Sequence, residues 1–400
     1  METKSKFSTV EEPFGCMALL LSHVKIARRI HTLTRNVYAD YAATTPLCLP
    51  ARRAMHDAFD IYGNPSSLHY AGAEARKLVE KARSKVAKAI NAEPDEIYFT
   101  SGATEANIWV LSAFSTVKSN VEHSSMEYGR RGGIVGLESD HLGKSDHLGI
   151  VPSKPVIDLT FIDTMSILWV NNEVGTVQDM KSLASWATNS ADKLFHTDAT
   201  QAVGHISVDV RETGVDLLSM SAHKFGGPKG IGALFVRRGV DILPMLHGGH
   251  QEAGKRAGTE NVIGIAGMGA AIEWATNNLD KSVPYLTKLR DILIDGILSI
   301  LGTELTGHPT QRSPSIASFV FRGIDGQALV LALDERGVCA SSGSACSEGQ
   351  VGVSHVLKAM GYTEETGRGS LRLSIGWDTT EADVRYVIRA VKESVEELRK

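Results

Sequence analysis

Ser219-Met-Ser-Ala-His-Lys224-Phe-Gly-Gly-Pro-Lys-Gly230 is the stretch from which the rest of the chain is read. The run Asp216-Leu-Leu-Ser-Met220 leading into it has the short apolar character of a strand buried on both faces, and the Gly/Pro turn behind Lys224 stops it. A lysine at the carboxyl end of such a strand sits where open α/β sheets place their ligands. Taken alone, Lys224 reads as a solvated lysine at a strand end. Its surroundings decide otherwise.

Working outward, Glu96-Ile-Tyr-Phe-Thr100, Ser166-Ile-Leu-Trp-Val170, Lys193-Leu-Phe-His196 and Gly232-Ala-Leu-Phe-Val236 repeat the same apolar pattern. Helical spacing of Ala, Leu and Val marks residues 73–90, a helix starts at Thr104, and residues 181–189 read as another. Strands alternating with helices predict an α/β domain with a mostly parallel sheet. After about Asn278 the character changes. Residues 285–301 read as a long amphipathic helix, 315–321 as a strand, 326–335 as a helix and 370–374 as a strand. A terminal helix over 381–399 follows the cap candidates Thr379-Thr380. The expected organisation is an N-terminal extension (1–36), a large domain (37–279) and a small α+β domain (280–400). Residues 129–153, Gly-rich and without periodicity, read as loop.

Composition limits the function classes. The 400 residues are 42% hydrophobic and 22% charged, which suits a globular chain and excludes a disordered or collagen-like one. Lys+Arg 42 against Asp+Glu 46 gives a net charge of −4, so no basic face for direct nucleic-acid binding is expected. The apolar stretch 261–275 is Gly-rich and broken by Glu273, short of the ~18 apolar residues of a membrane span. A soluble protein with no membrane partner is expected. Cys16, Cys48, Cys339 and Cys346 are too few for a disulfide framework and predict a reducing compartment. Residues 13–39 contain no acid but include Lys25, Arg28, Arg29, Arg35 and Met17-Ala-Leu-Leu-Leu21. That pattern suits an ordinary helix, a disordered extension or an organelle transit segment, the last weakened because it does not begin at Met1.

The chemistry-bearing residues gather around Lys224. Its amine suits a carbonyl cofactor. Asp198, in Lys193-Leu-Phe-His-Thr-Asp198-Ala-Thr-Gln201, lies 26 residues upstream, at the end of the preceding strand. Pyridoxal phosphate needs such an acid against its ring nitrogen, although a helix N-cap aspartate is the plainer reading. Phe99-Thr-Ser-Gly-Ala-Thr104-Glu-Ala-Asn107, a strand followed by small residues and a helix start, suits a phosphate or is simply a cap. Cys346, in Cys339-Ala-Ser-Ser-Gly-Ser-Ala-Cys-Ser-Glu-Gly349, has no apolar neighbours and reads as a reactive thiol, whereas Cys339 after Gly337-Val338 reads as a structural one. Arg372, inside a strand-like run, suits a substrate carboxylate or a salt bridge. His123 alone reads as structural, and His247-Gly-Gly-His250 lacks a third ligand, so no metal is expected.

In order, eight segments resemble the cysteine desulfurases of the class V aminotransferase-like pyridoxal-phosphate family. They are Tyr38-Ala-Asp-Tyr-Ala-Ala-Thr-Thr-Pro46, Tyr62-Gly-Asn-Pro-Ser-Ser67, Thr100-Ser-Gly-Ala-Thr-Glu105, Asn171-Asn-Glu-Val-Gly175, Asp198-Ala-Thr-Gln201, Ser221-Ala-His-Lys224, Arg256-Ala-Gly-Thr-Glu-Asn261 and Gly343-Ser-Ala-Cys346. The resemblance implies a fold-type I architecture with a mostly parallel seven-stranded sheet, pyridoxal 5'-phosphate as cofactor, and a homodimer with active sites at the interface. It implies that Lys224 holds the cofactor and moves protons at the substrate α-carbon. It further implies that Asp198 meets the ring nitrogen, Gln201 the ring hydroxyl and His123 the ring face. Ala103, Thr104, Ser221 and His223 would hold the phosphate with Thr259 of the partner subunit, and Asn172 and Arg372 the substrate carboxylate. Cys346 would take sulfur from L-cysteine, leaving L-alanine and a persulfide. The implied acceptor is an iron–sulfur scaffold or a tRNA-thiolation factor, and the implied compartment the cytoplasm, or an organelle if 1–36 is a transit segment. A selenocysteine lyase, a class V aminotransferase and a non-catalytic scaffold are the alternatives.

Overall fold

The computed structural model describes residues 35–126, 135–136, 146–151, 162–191, 193–342 and 352–400. The extension 1–34, most of the 129–153 stretch and the segment bearing Cys346 lie outside these residues. The described chain opens on the short strand β1 (Val37–Tyr38). The strands of the central sheet follow: β2 (Ile97–Thr100), β3 (Thr116–Lys118), β4 (Val135–Gly136), β5 (Thr164–Ser166), β6 (Leu194–Asp198), β7 (Leu217–Ser221) and β8 (Gly232–Val236). Their spatial order is β2-β8-β7-β6-β5-β3-β4. From β7 to β4 every pairing is parallel, and β8 alone runs antiparallel to both its neighbours. The fold is thus the expected α/β type with a mostly parallel seven-stranded sheet.

Residue type explains the placing of the central strands. Leu217-Leu-Ser-Met-Ser221 and Gly232-Ala-Leu-Phe-Val236 are buried throughout, as strands covered by helices on both faces must be. The strand expected at 166–170 instead spans Thr164–Ser166. Apolarity misplaces it because Ile167, Leu168, Trp169 and Val170 are buried beyond the strand's end, while Ser166 closes the strand with its hydroxyl 2.7 Å from His196 Nδ1. Helices Tyr70–Ala89 and Val262–Asn277 pack together over this sheet through small residues, with Gly269 lying against Ala82.

A second layer is built on β9 (Thr303–Leu305), β10 (Ile316–Phe321), β11 (Val338–Cys339) and β12 (Ser370–Ser374). β10 is the centre of an antiparallel sheet with β12 and β9 at its edges, while β11 pairs in parallel with β1. Helices Leu279–Leu298, Gly326–Glu335 and Glu381–Leu398 cover it. The first of these starts at Leu279, ahead of the expected residue 285, and carries Pro284 in its second turn, where the missing N–H costs one helical hydrogen bond. Thr380 and Asp383 form a reciprocal capping box on the last helix. That helix buries Val384, Val387, Val391 and Val395 against Phe319, Leu371 and Leu373. Val37 and Ala39 belong to this second core rather than to the first, because β1 joins β11. No helix among the described residues is long and apolar enough to cross a membrane.

Candidate active site

A cleft of about 590 Å³ opens at the carboxyl ends of β6 and β7, the position this sheet topology favours. Ala103, Thr104, His123, Asn172, Asp198, Gln201, Ser221, His223, Lys224 and Arg372 all line it. Residues spread over more than two-thirds of the chain therefore meet in one place. Thr259 does not line this cleft and is exposed. Cys346 lies outside the described residues.

Lys224 closes the turn Ala222–Lys224 that follows β7. Its Nζ donates to the carbonyls of Ala42 at 2.6 Å and Ala43 at 2.8 Å, which aims the amine across the cleft. Behind the turn, His205 Nε2 bonds the Lys224 carbonyl at 2.8 Å. Gln201 Nε2 shares the Ala42 carbonyl at 2.8 Å, so the segment after β1 is clamped by both side chains. His223 has its pKa pushed down to about 4, first by burial and then by the charges of Lys224 and Lys229. It is a neutral imidazole at pH 7.

Asp198 ends β6 and is buried. Asn107 Nδ2 donates to its Oδ2 at 2.7 Å and the Thr200 backbone N–H to its Oδ1 at 2.9 Å. The helix Ala103–Ala113 begins beside it, with Glu105 in its first turn accepting from the Ser101 N–H at 2.8 Å. Glu105 also pairs with Arg256 at 2.8 Å. Gly232 makes room for this helix start, since a Cβ there would lie 2.7 Å from Gly102 Cα. The early N–H groups of a helix lack partners within it, and with the Thr104 and Ser221 hydroxyls they form a cradle for an anion.

Arg372 in β12 is buried and faces the cleft. Its salt-bridge reading is met, since it ion-pairs with Asp40 at 2.8 Å, and it also bonds the Asn172 carbonyl at 2.8 Å. His123 Nδ1 lies 2.8 Å from Ser125 Oγ. Next to His123, the fully buried Glu122 accepts bonds from the Ser119 hydroxyl and the Leu168 N–H, yet burial pushes its pKa up to about 8.

The residue chemistry fits pyridoxal phosphate. A buried acid held in place by two N–H donors suits a ring nitrogen, the helix-end cradle suits a phosphate, and Lys224 suits a carbonyl carbon. When bound, the cofactor supplies an electron sink. Among the described residues no group of three or more His, Cys, Asp or Glu is placed to hold a metal. Sequence reading missed Asn107, Ser125, Asp40, His205 and Glu122. Asn107 and Asp40 stood in quoted motifs, but only contacts across the fold give them partners. One reading is corrected. Cys339, expected in apolar surroundings, is exposed: side chains alternate along a strand, so a buried Val338 puts its neighbour outside.

The class-V aminotransferase family matches residues 37–387. Cysteine desulfurase IscS of Dictyoglomus turgidum is 44% identical over 381 residues, 92% of this chain and 96% of that protein. The cysteine desulfurase IscS of Methanosarcina thermophila is 42% identical over 388 residues, 92% and 94% of the two chains. Among solved structures, a NifS-like protein superposes with a TM-score of 0.82 at 33% identity, covering 91% of this chain and 100% of its own. The chain belongs to the class-V aminotransferase family, whose enzymes work through pyridoxal phosphate. Within that family it is a cysteine desulfurase.

Proposed function

We propose that this enzyme takes sulfur from L-cysteine, releases L-alanine and carries the sulfur as a persulfide on Cys346. The convergence of Lys224, Asp198 and Arg372 on one cleft is the observation that carries the reading. Lys224 holds the cofactor and then moves the proton at the substrate α-carbon. Asp198 meets the ring nitrogen, Gln201 the ring hydroxyl, and His123 covers the ring face. Ala103, Thr104, Ser221 and neutral His223 hold the phosphate together with Thr259 of the partner subunit. Arg372 and Asn172 orient the substrate carboxylate. The Cys346 thiolate then attacks the substrate sulfur, for which a Ser/Gly-rich segment suits close approach and withdrawal. In this reading residues 37–279 bind the cofactor and 280–400 bring Arg372 and Cys346 to it.

The working form is a homodimer. Supporting this, Leu68 is 96% and Tyr62 80% exposed, two large side chains that a second copy would cover. Leu68 shares a surface hollow with His250 and Glu260, next to the exposed Thr259, so the same face carries the residue a second copy would use. The sulfur goes to an acceptor protein in the cytoplasm, an iron–sulfur scaffold or a tRNA-thiolation factor. Incubating the purified holoenzyme briefly with cysteine tests the reading. One labile extra sulfur should appear on the peptide containing Cys346, with alanine released. Sulfur on Cys339 instead, or undiminished alanine release by Cys346→Ala, would overturn it. Faster turnover of selenocysteine than cysteine would move the assignment to a selenocysteine lyase.

A further inference from the structure

Asn107 is fully buried, and its amide nitrogen shares its two protons between Asp198 Oδ2 at 2.7 Å and Ser125 Oγ at 2.9 Å. Its amide oxygen has no partner among the described residues. Turning the amide over would set that oxygen against the Asp198 carboxylate, so the carboxylate dictates the orientation. Having accepted from Asn107, Ser125 Oγ has its own proton to give. The acceptor is His123 Nδ1 at 2.8 Å. The Ser125 backbone N–H, a donor that cannot reverse, reaches the same Nδ1 at 3.1 Å. Nδ1 therefore accepts, and the proton of the neutral imidazole resides on Nε2.

We infer that Asn107 and Ser125 are positioning residues forming a relay from Asp198 to His123 that fixes His123 as its Nε2–H tautomer. One buried amide thus orients both the acid and the imidazole of the cleft. Their catalytic importance rests on the function proposed above; the tautomer does not. The relay leaves Arg372 and Asn172 untouched, so disturbing it should lower kcat and spare KM.

Long-range 1H–15N spectra of the 15N-histidine-labelled holoenzyme test this, with His123→Gln identifying the ring. The wild type should show Nδ1 as an unprotonated acceptor and Nε2 carrying the proton. Ser125→Ala, which leaves Nδ1 only the longer backbone donor, should move the Nδ1 shift away from its wild-type value and lower kcat about tenfold with KM within twofold. Ser125→Thr, which keeps the hydroxyl, should restore the wild-type nitrogen pattern. Asn107→Leu should act in the same direction as Ser125→Ala; if it fails to fold, Ser125→Ala decides alone. Wild-type nitrogen shifts at His123 in Ser125→Ala overturn the relay whatever the rate. An Nε2–H wild type that turns over no cysteine would overturn the proposed function and leave the relay standing.

Discussion

Arg372 Nη2 and Asp40 Oδ1 lie 2.8 Å apart, joining β12 of the second layer to the segment whose carbonyls hold the Lys224 amine. The guanidinium also bonds the Asn172 carbonyl, so three separate parts of the chain meet on one side chain. A planar fork with several donors can keep these partners and still receive a carboxylate, which a lysine cannot do.

Arg372→Lys is therefore expected to raise KM for cysteine. Losing a charge-assisted fork costs about 1.5–3 kcal/mol, which corresponds to roughly a ten- to hundredfold change. Steady-state kinetics of alanine release check it. An unchanged KM would remove Arg372 from substrate binding and leave only its structural pairing with Asp40.

Lys224→Ala should lose the visible absorption of the bound cofactor, and cysteine turnover should fall by roughly 10²–10⁴ or more. Asp198→Asn should retain colour with a shifted maximum and lose activity. In that variant an amide replaces the carboxylate where Asn107 and Thr200 both donate, so donors face a weaker acceptor. A colourless wild type after reconstitution would refute the cofactor assignment.

Parts of this architecture were legible in the sequence. The strands Gly232–Val236 and Ser370–Ser374 and the helix Gly326–Glu335 were read to the residue, because their hydrophobic pattern coincides with burial. Thr164–Ser166 was misplaced because the apolar residues 167–170 are buried past the strand's end and the buried Thr164 inside it is polar. Asp198, Lys224 and Thr104 were identifiable because their motifs sit at a strand end or helix start, and Arg372 because it is a charge inside a strand. Asn107 gave no such sign: its partner Asp198 is 91 residues away, and only the fold brings them together. Cys339 was misjudged because apolar neighbours in sequence point to the opposite face of a strand.

Cys346→Ala should abolish alanine formation while keeping the cofactor colour, since none of the groups assigned to the cofactor lies on that segment. Stability should change little, since Cys346 stands among Ser, Gly and Ala in the sequence and the substitution is small. Absorbance and a thermal melt, taken beside the activity assay, separate a chemical loss from a folding defect.

Glu122 gives a pH dependence whose sign is fixed by its burial. Its Oε1 accepts from the Ser119 hydroxyl and the Leu168 N–H, and Oε2 has no partner among the described residues. Burial raises the pKa to about 8, with the nearby Asp198 charge adding to it. The unfolded chain releases this proton near pH 4.3. Between those values the folded state holds a proton that the unfolded state lacks, so stability falls as pH rises through the window. Below it both states are protonated and the contribution is complete; above about 8 both are ionised and the contribution is lost. His196 acts on the other side. Burial lowers its pKa to about 4, so the unfolded chain takes up a proton first and stability falls as pH drops below about 6.5. Glu122→Gln removes only the first effect, because glutamine keeps an oxygen for Ser119 and Leu168 but cannot titrate. Chemical unfolding of both proteins at pH 5, 6.5 and 8.5 should show the wild type losing stability relative to the variant as pH rises, by the order of 1 kcal/mol per pH unit. Curves that stay parallel across that range would show Glu122 to be ionised throughout.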